Sequence, residues 1–311
     1  MTKLELIAQP VLAARASLGE GAIWDNEKMR LYWIDINNCL LNSFDPLTGI
    51  NKSLKLPAKP GCVVRRATEN GGGFILGMGG EFVHLRVVDD LSESIYTISA
   101  LAYPEEHVVG NRMNDGKCDP AGRFWCGSMD VGCNYPSGNL WMLDKKQKLS
   151  HKLSDITISN GIVWNKANDT MYYIDTGCNR VDAFDYDNDS GNISNQRPLV
   201  TNQWGGHFDG MTIDSEDNLY IAVWGGSAVQ KVSSSNGELL ATITVPGVLN
   251  VTSCAFGGDQ LQDLYITSAQ QESTPKASKA PNEEHSETNA GDLFKVHLSD
   301  CQGLPANQYL G

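Results

Sequence analysis

The chain has 311 residues, of which 41% are hydrophobic and 20% charged, so it is long enough to bury a large core. Its 37 acidic residues outnumber the 24 lysines and arginines and give a net charge of −13, which repels phosphate backbones and anionic lipid surfaces. This balance argues against a nucleic acid or a membrane surface as a partner.

The predicted elements, taken in chain order, are short strands that recur along the chain. The first residues, "MTKLELIAQPVLAARA", lack the apolar run of a signal peptide, and we therefore expect a cytoplasmic protein. Six runs rich in aromatic and β-branched residues follow, each bounded by Gly, Asn or Asp. They are "RLYWIDI" (30–36), "GFILGM" (73–78), "RFWCGSM" (123–129), "TMYYIDT" (170–176), "NLYIAVW" (218–224) and "DLYITSA" (263–269).

Most of these runs are followed by a second strand and a turn, as in "SFDPLTG" (43–49) and "AFDYDNDSG" (183–191). Helical periodicity is nearly absent. Six units of about four strands each predict an all-β fold, a six-bladed β-propeller whose sheets surround a central channel. We expect residues 1–311 to form this single β-propeller domain.

Both ends of the chain are predicted to contribute to the last blade. "LELIAQ" (4–9) is expected to add an outer strand to that blade, beside "DLFKVHL" (292–298), and so to close the ring. Residues 270–290 are polar and contain two prolines, which predicts a mobile loop inserted in the same blade.

Four polar residues share one position in the repeat. Each lies four residues before the residue that precedes a turn beginning with Asp or Asn; the four are Glu20, Asn114, Asn160 and Asp209. The same count reaches Thr252 in the last unit, and a weaker unit near Val63 fills the gap after the first. Equivalent positions in a propeller are related by rotation about the channel, so these side chains are expected to converge if they face inward.

Two carboxylates and two amides around an axis would repel one another or stay unsatisfied unless a cation lay among them. The alternative, for any one position alone, is that Asn or Asp before Gly simply forms a turn. Oxygen ligands suit Ca²⁺, Mg²⁺ or Mn²⁺, whereas Zn²⁺ more often recruits His or Cys. The sequence therefore predicts a central metal site for one divalent cation, with Ca²⁺ favoured and Zn²⁺, Mg²⁺ and Mn²⁺ as alternatives.

Longer phrases of the chain point to a known family when they are taken together. They are "LGEGAIWD", "NRMNDGKCDPAGRFWCGSM", "SNGIVWN", "MYYIDT", "VDAFDYD", "FDGMTIDSEDNLYIAV" and "TSCAFGG". On these phrases the chain resembles, over nearly its whole length, the gluconolactonase, senescence-marker (regucalcin) and luciferin-regenerating enzyme family of six-bladed propellers.

The resemblance implies specific roles for residues at the shared position. Glu20, Asn160 and Asp209 would be the three protein ligands of the cation. Asn114 would lie beside the cation and contact substrate, and Arg112 would hydrogen-bond a substrate hydroxyl or carbonyl. The chain departs from the family at Gly132, where some relatives carry a substrate-contacting glutamate, and nearby Asp130 is the candidate that would replace it.

The same resemblance implies a metal-dependent lactonase that hydrolyses a sugar (aldono-) lactone, such as gluconolactone, to the aldonic acid. The cation would polarise the lactone carbonyl and activate a water, and the catalytic base would be Asp209 or that activated water itself. Two other functions stay open: a calcium-binding, regulatory propeller without turnover, and an organophosphate triester hydrolase. Because a fold hosts many functions, the site must decide among them.

Overall fold

The computed structural model describes residues 4–87, 91, 95–270 and 288–311. In this part of the chain, 25 β-strands form six sheets arranged as the blades of a propeller, which confirms the predicted six-bladed β-propeller. Each of the six predicted aromatic runs forms the second strand of its sheet.

Blades 1 to 3 are built from twelve strands in chain order. They are β3 (Gly19–Asp25), β4 (Arg30–Asp35), β5 (Leu40–Asp45) and β6 (Ile50–Lys55) in blade 1; β7 (Pro60–Arg65), β8 (Phe74–Met78), β9 (Glu81–Val87) and β10 (Tyr96–Ala102) in blade 2; β11 (Asn111–Cys118), β12 (Phe124–Asp130), β13 (Gly138–Leu143) and β14 (Leu149–Ile156) in blade 3. A single 3₁₀ turn, Thr68–Asn70, lies between β7 and β8.

Blades 4 to 6 contain the remaining strands, including two from the N-terminal segment. They are β15 (Ser159–Trp164), β16 (Thr170–Asp175), β17 (Arg180–Asp187) and β18 (Asn192–Thr201) in blade 4; β19 (His207–Ile213), β20 (Leu219–Trp224), β21 (Ala228–Val232), β22 (Leu239–Thr244) and β1 (Leu4–Ile7) in blade 5; β23 (Asn250–Gly257), β24 (Asp263–Ala269), β25 (Leu293–His297) and β2 (Gln9–Leu12) in blade 6.

The first strand of each blade lies innermost, around the channel. Every residue is buried in four of these inner strands, β3, β7, β15 and β23. The residues of outer strands such as β6 and β18 are mostly exposed or half-buried. Burial on both faces explains why the inner strands lack the apolar–polar alternation of a half-exposed strand.

The N-terminal segment closes the ring in two steps, and the prediction for it is partly wrong. Leu4–Ile7 pairs in parallel with β22 and adds a fifth strand to blade 5 instead of joining blade 6. Only the next strand, Gln9–Leu12, pairs antiparallel with β25 and completes blade 6. Pro10 has no N–H to donate to a ladder, so its strand is suited to a sheet edge.

Adjacent blades pack face to face through large side chains. Trp24 of blade 1 stacks on Tyr265 of blade 6 with ring centroids 5.6 Å apart, which joins the first blade to the last. Trp125 of blade 3 meets Trp164 of blade 4 edge to face at 5.8 Å. These inter-blade contacts form the core and hold the inner strands around the channel.

The last ten residues, 302–311, form a C-terminal strap across one end of the channel. The Leu304 N–H donates to the Ile213 carbonyl at the end of β19 in blade 5 (3.4 Å), and the Tyr309 N–H donates to the Arg65 carbonyl at the end of β7 in blade 2 (2.8 Å). Blades 2 and 5 lie opposite each other in a ring of six. The strap therefore crosses the axis and covers the end where the inner strands finish.

The segment predicted to be an inserted loop, 270–290, lies between β24 and β25, and its residues 271–287 are outside the described residues. In the described ranges, no helix has the length and apolar character required to cross a bilayer.

Candidate active site

The inner strands all carry a register shift at the same level of the channel. Shifts occur at Glu20/Ile23, Pro60/Cys62, Met113/Gly116, Ser159/Ile162, Phe208/Met211 and Val251/Ser253. A β-bulge bends its strand and re-aims a side chain, and it often lies next to a functional site. The four polar residues that share a position in the sequence repeat all lie at these bulges.

Glycine follows three of the four polar residues, for a geometric reason. Gly21, after Glu20, has a φ of 60°, in the left-handed region that glycine adopts without strain. A Cβ on Gly161, after Asn160, would lie 2.9 Å from the backbone nitrogen of Met211, so only glycine lets β15 approach β19 this closely. The bulges and these glycines bring side chains from different blades together.

A chain of hydrogen bonds joins blades 3, 4 and 5 at this level. Arg112 Nη1 donates to Asn114 Oδ1 (2.7 Å), and Asn114 Nδ2 donates to Asn160 Oδ1 (3.1 Å). Asn160 Nδ2 donates to the Thr176 hydroxyl (2.6 Å), which donates to the carbonyl of Phe208, the residue before Asp209 (2.8 Å). This chain orients both amides.

The two acidic residues at the shared position are buried and influence each other. Glu20 is 9% exposed and Asp209 is 6% exposed. Burial, followed by the negative charge of Asp115, raises the pKa of Glu20 to about 8. Burial, followed by the negative charges of Glu20 and Asp115, raises the pKa of Asp209 well above its usual range. Carboxyl groups held this way favour a proton or a cation between them.

Asp115 is a third buried carboxylate whose importance the sequence reasoning missed. It is 7% exposed; Oδ1 accepts from the Gly116 N–H (2.7 Å), and Oδ2 is buried without a hydrogen-bond partner. Its position in the sequence could have indicated this role. In blades 1, 4 and 5 the equivalent polar residue is followed by glycine, whereas Asn114 of blade 3 is followed by Asp115.

The residues at this level fit a hard divalent cation. No three His, Cys, Asp or Glu side chains in the described ranges form a cation site by themselves, so a ligand set here would need oxygen donors of another kind as well. Glu20, Asp209 and the oriented Asn160 carbonyl provide two carboxylates and one amide oxygen, the donor types that Ca²⁺ and Mg²⁺ prefer. A cation held there would offset the burial and mutual repulsion that raise the pKa values of Glu20 and Asp209, and the unpaired Asp115 oxygen adds a further acceptor among these groups.

Comparison with known proteins places the chain in a family. Residues 18–270 match the model of the family described as SMP-30/Gluconolactonase/LRE-like region. The chain belongs to this family. The resemblance recognised in the sequence is thereby confirmed.

Relatives in this SMP-30/gluconolactonase family match the chain along nearly its full length. The Bacillus subtilis (strain 168) protein YvrE, whose name assigns it provisionally to the sugar lactone lactonases, is 35% identical over 285 residues, 91% of this chain and 92% of its own. Regucalcin of Danio rerio is 32% identical over 305 residues, 97% of each chain.

Solved structures show the same architecture. A luciferin-regenerating enzyme has a TM-score of 0.86 at 32% identity and covers 95% of this chain and 96% of its own. A regucalcin from Agrobacterium tumefaciens strain C58, described as a calcium-binding protein, has a TM-score of 0.85 at 22% identity over 98% of each chain. The second similarity supports the fold alone.

Blade 3 carries the two other predicted substrate contacts, Arg112 and Asp130. Arg112 is half-buried, and the carboxylates of Glu20 and Asp209 are among the charges that act on its guanidinium. Asp130 caps its own turn, accepting the Asn134 N–H at 2.8 Å. A Cβ on Gly132 would lie 2.4 Å from Asn134 Nδ2, so a glutamate there would require the exposed Asn134 side chain to move.

Thr252 lies at the predicted level of blade 6, but its hydroxyl binds a backbone carbonyl instead of facing the proposed cation site. Its hydroxyl donates to the Gly19 carbonyl of blade 1 at 2.5 Å and contacts the Thr267 hydroxyl at 2.9 Å. Blade 6 therefore supports the strand that carries Glu20 and offers no acidic ligand at this level.

Proposed function

We propose that the protein is a divalent-cation-dependent lactonase that hydrolyses a sugar (aldono-) lactone to the aldonic acid. The observation that carries the proposal is the Asn114 amide, held between Arg112 and Asn160 beside two buried carboxylates. A purely structural cation site has no need of an arginine at its edge. Membership of a family that includes gluconolactonases, and the name of the Bacillus relative, support the same activity.

The site residues divide into a cation-holding set and a substrate-holding set. Glu20, Asn160 and Asp209 would hold the cation, with Ca²⁺ favoured because two carboxylates and an amide oxygen are hard oxygen ligands. When bound, the cation supplies Lewis-acid polarisation of the carbonyl and stabilises developing negative charge. Arg112 and Asn114 would orient the lactone through its hydroxyl or carbonyl oxygens, with Asp130 as a further contact.

Asp209 is proposed to act also as the general base. Burial and neighbouring acidic groups raise the pKa of Asp209, which favours proton acceptance, whereas a bound cation lowers the basicity of a ligand. The Asp209→Asn variant separates these roles. Loss of turnover by about two to four orders of magnitude with cation still bound is expected for a base. Full turnover with bound cation would remove Asp209 from that role.

The proposal is tested by acid release from a panel of aldonolactones, before and after treatment with a chelator, with one phosphotriester included. Hydrolysis of lactones that stops on chelation and returns with Ca²⁺ is the expected result. Metal-dependent cleavage of the phosphotriester alone would assign the protein to the organophosphate hydrolases and contradict the proposal.

A calcium-binding, regulatory role without turnover is the second candidate. It is favoured by the buried acidic groups, which attract a cation whether or not a substrate binds. Arg112→Met discriminates between the two functions. For a lactonase, this variant should bind Ca²⁺ at least as tightly as the wild type, because a positive charge near Glu20 and Asp209 is removed, and should lose most of its turnover. Calcium binding by a wild-type protein inert toward every lactone would favour regulation.

A further inference from the structure

Three backbone carbonyls of inner strands accept hydrogen bonds from side chains of a neighbouring blade. Each inner strand is the edge strand of its sheet. The carbonyls on its free, channel-facing side therefore have no partner within the sheet. Asn114 of blade 3 donates to the Ser159 carbonyl of blade 4 (2.7 Å), Thr176 of blade 4 to that of Phe208 of blade 5 (2.8 Å), and Thr252 of blade 6 to that of Gly19 of blade 1 (2.5 Å). In each case the donor comes from the adjacent blade.

Lys117 follows a different pattern. Its ammonium donates to the Met211 carbonyl, so a side chain of β11 in blade 3 reaches β19 in blade 5 and passes blade 4. Met211 comes directly after the bulge formed by Asp209 and Gly210. Lys117 lies near the end of β11, on the strap side of Asn114, and Arg112 lies near the start. The lysine therefore crosses the channel beneath the proposed cation site.

The charge of Lys117 acts on groups from several blades. It is among the influences that lower the pKa values of Glu20 in blade 1, Asp115 in blade 3 and Cys254 in blade 6. A single ammonium can influence groups of three blades, while bonded to a fourth, only from a position near the axis. The hydrogen bond to Met211 and the effect of the Lys117 charge on three blades both place the ammonium near the channel axis.

We propose that Lys117 is a positioning residue of the active site, which fixes the Asp209 bulge from across the channel and weakens cation binding with its positive charge. The inference rests on the proposed cation site. It assigns Lys117 two separable actions: a hydrogen bond that holds the backbone next to Asp209, and a charge that opposes a second positive charge among the acidic groups. A merely structural lysine would stabilise the ring without opposing the cation.

Three substitutions separate these actions. Lys117→Met removes both the charge and the donor, Lys117→Gln removes the charge and keeps an N–H donor, and Lys117→Arg keeps both. Lys148→Met, an exposed lysine of the same blade, is the matched control for loss of one positive charge. Ca²⁺ affinity is measured by calorimetry on chelator-treated protein, and kcat and KM on an aldonolactone are measured in parallel.

The expected result has opposite signs in the two measurements. Removing the nearby positive charge while keeping an N–H donor should tighten Ca²⁺ binding by about tenfold in Lys117→Gln. The kcat of Lys117→Met should fall by about tenfold or more with little change in KM, because a small misplacement of a catalytic group is costly. Lys117→Arg and Lys148→Met should bind Ca²⁺ as the wild type does.

Unchanged or weaker Ca²⁺ binding in Lys117→Gln overturns the inference and leaves the proposed function intact. Wild-type protein that binds Ca²⁺ but hydrolyses no lactone refutes the proposed function, while the calorimetric comparison still decides the role of Lys117. Wild-type protein that binds no divalent cation refutes both. If Lys117→Met fails to fold, Lys117→Gln and Lys117→Arg provide the same comparison of charge.

Discussion

The acidic groups predict that the cation-free protein loses stability as the pH rises. The carboxyl of Glu20 has a pKa of 4.5 as its ordinary value and about 8 when folded. Between these values the folded state binds a proton that the unfolded chain has released, so the free energy of unfolding falls with increasing pH. Each pH unit in that window costs about 1.4 kcal/mol, which gives a loss of up to about 5 kcal/mol at pH 8 from this group.

Urea unfolding of chelator-treated protein at pH 5, 6.5 and 8, followed by tryptophan fluorescence, measures this loss. Glu20→Gln removes the titrating group, so its stability should fall less steeply with pH than that of the wild type. Excess Ca²⁺ should restore the wild type at pH 8, because the cation replaces the proton, and should have much less effect on the variant. Equal pH slopes for wild type and Glu20→Gln would refute the reasoning.

Three further predictions concern the strap and the hydrogen-bonded amides. Tyr309 is fully buried and donates from its hydroxyl to the Asp144 carbonyl at 2.7 Å, so Tyr309→Ala should cost about 3–5 kcal/mol and Tyr309→Phe about 1 kcal/mol in urea unfolding. A Tyr309→Ala protein as stable as the wild type would mean that the strap does not hold the ring. Thr176→Val removes the group between Asn160 and the Phe208 carbonyl, and calorimetry should show Ca²⁺ affinity reduced by roughly tenfold, corresponding to ~1.4 kcal/mol. Unchanged affinity would mean that Asn160 is not oriented through Thr176. Arg112→Lys loses the planar fork, so kcat/KM should drop by about tenfold or more while Ca²⁺ binding stays the same, and equal kcat/KM would remove Arg112 from substrate recognition.

Repetition made the fold readable from the sequence. A strand of the type "RLYWIDI" cannot bury both of its faces alone, and six such runs at similar intervals require six sheets packed against one another. The shared position of Glu20, Asn114, Asn160 and Asp209 was readable for the same reason, since rotation about one axis makes equivalent positions neighbours.

The N-terminal strands were harder to place because edge pairing depends on partners far away in the chain. Leu4–Ile7 is compatible with either neighbouring blade edge as far as its own residues are concerned, and the structure pairs it with β22. The strap is likewise defined by carbonyls at Arg65 and Ile213, which no local pattern marks.

From residue order alone it follows that the chain repeats one β-sheet unit six times and carries carboxylates and amides at one position of that unit. The burial of Asp115 among these groups, the hydrogen bond from Lys117 of blade 3 to Met211 of blade 5 and the course of the strap across one end of the channel became visible only in the folded chain. The difference lies in how far apart in the sequence the interacting residues are. Repeat position follows from residue order, whereas charges and hydrogen bonds across the channel depend on which blades face each other.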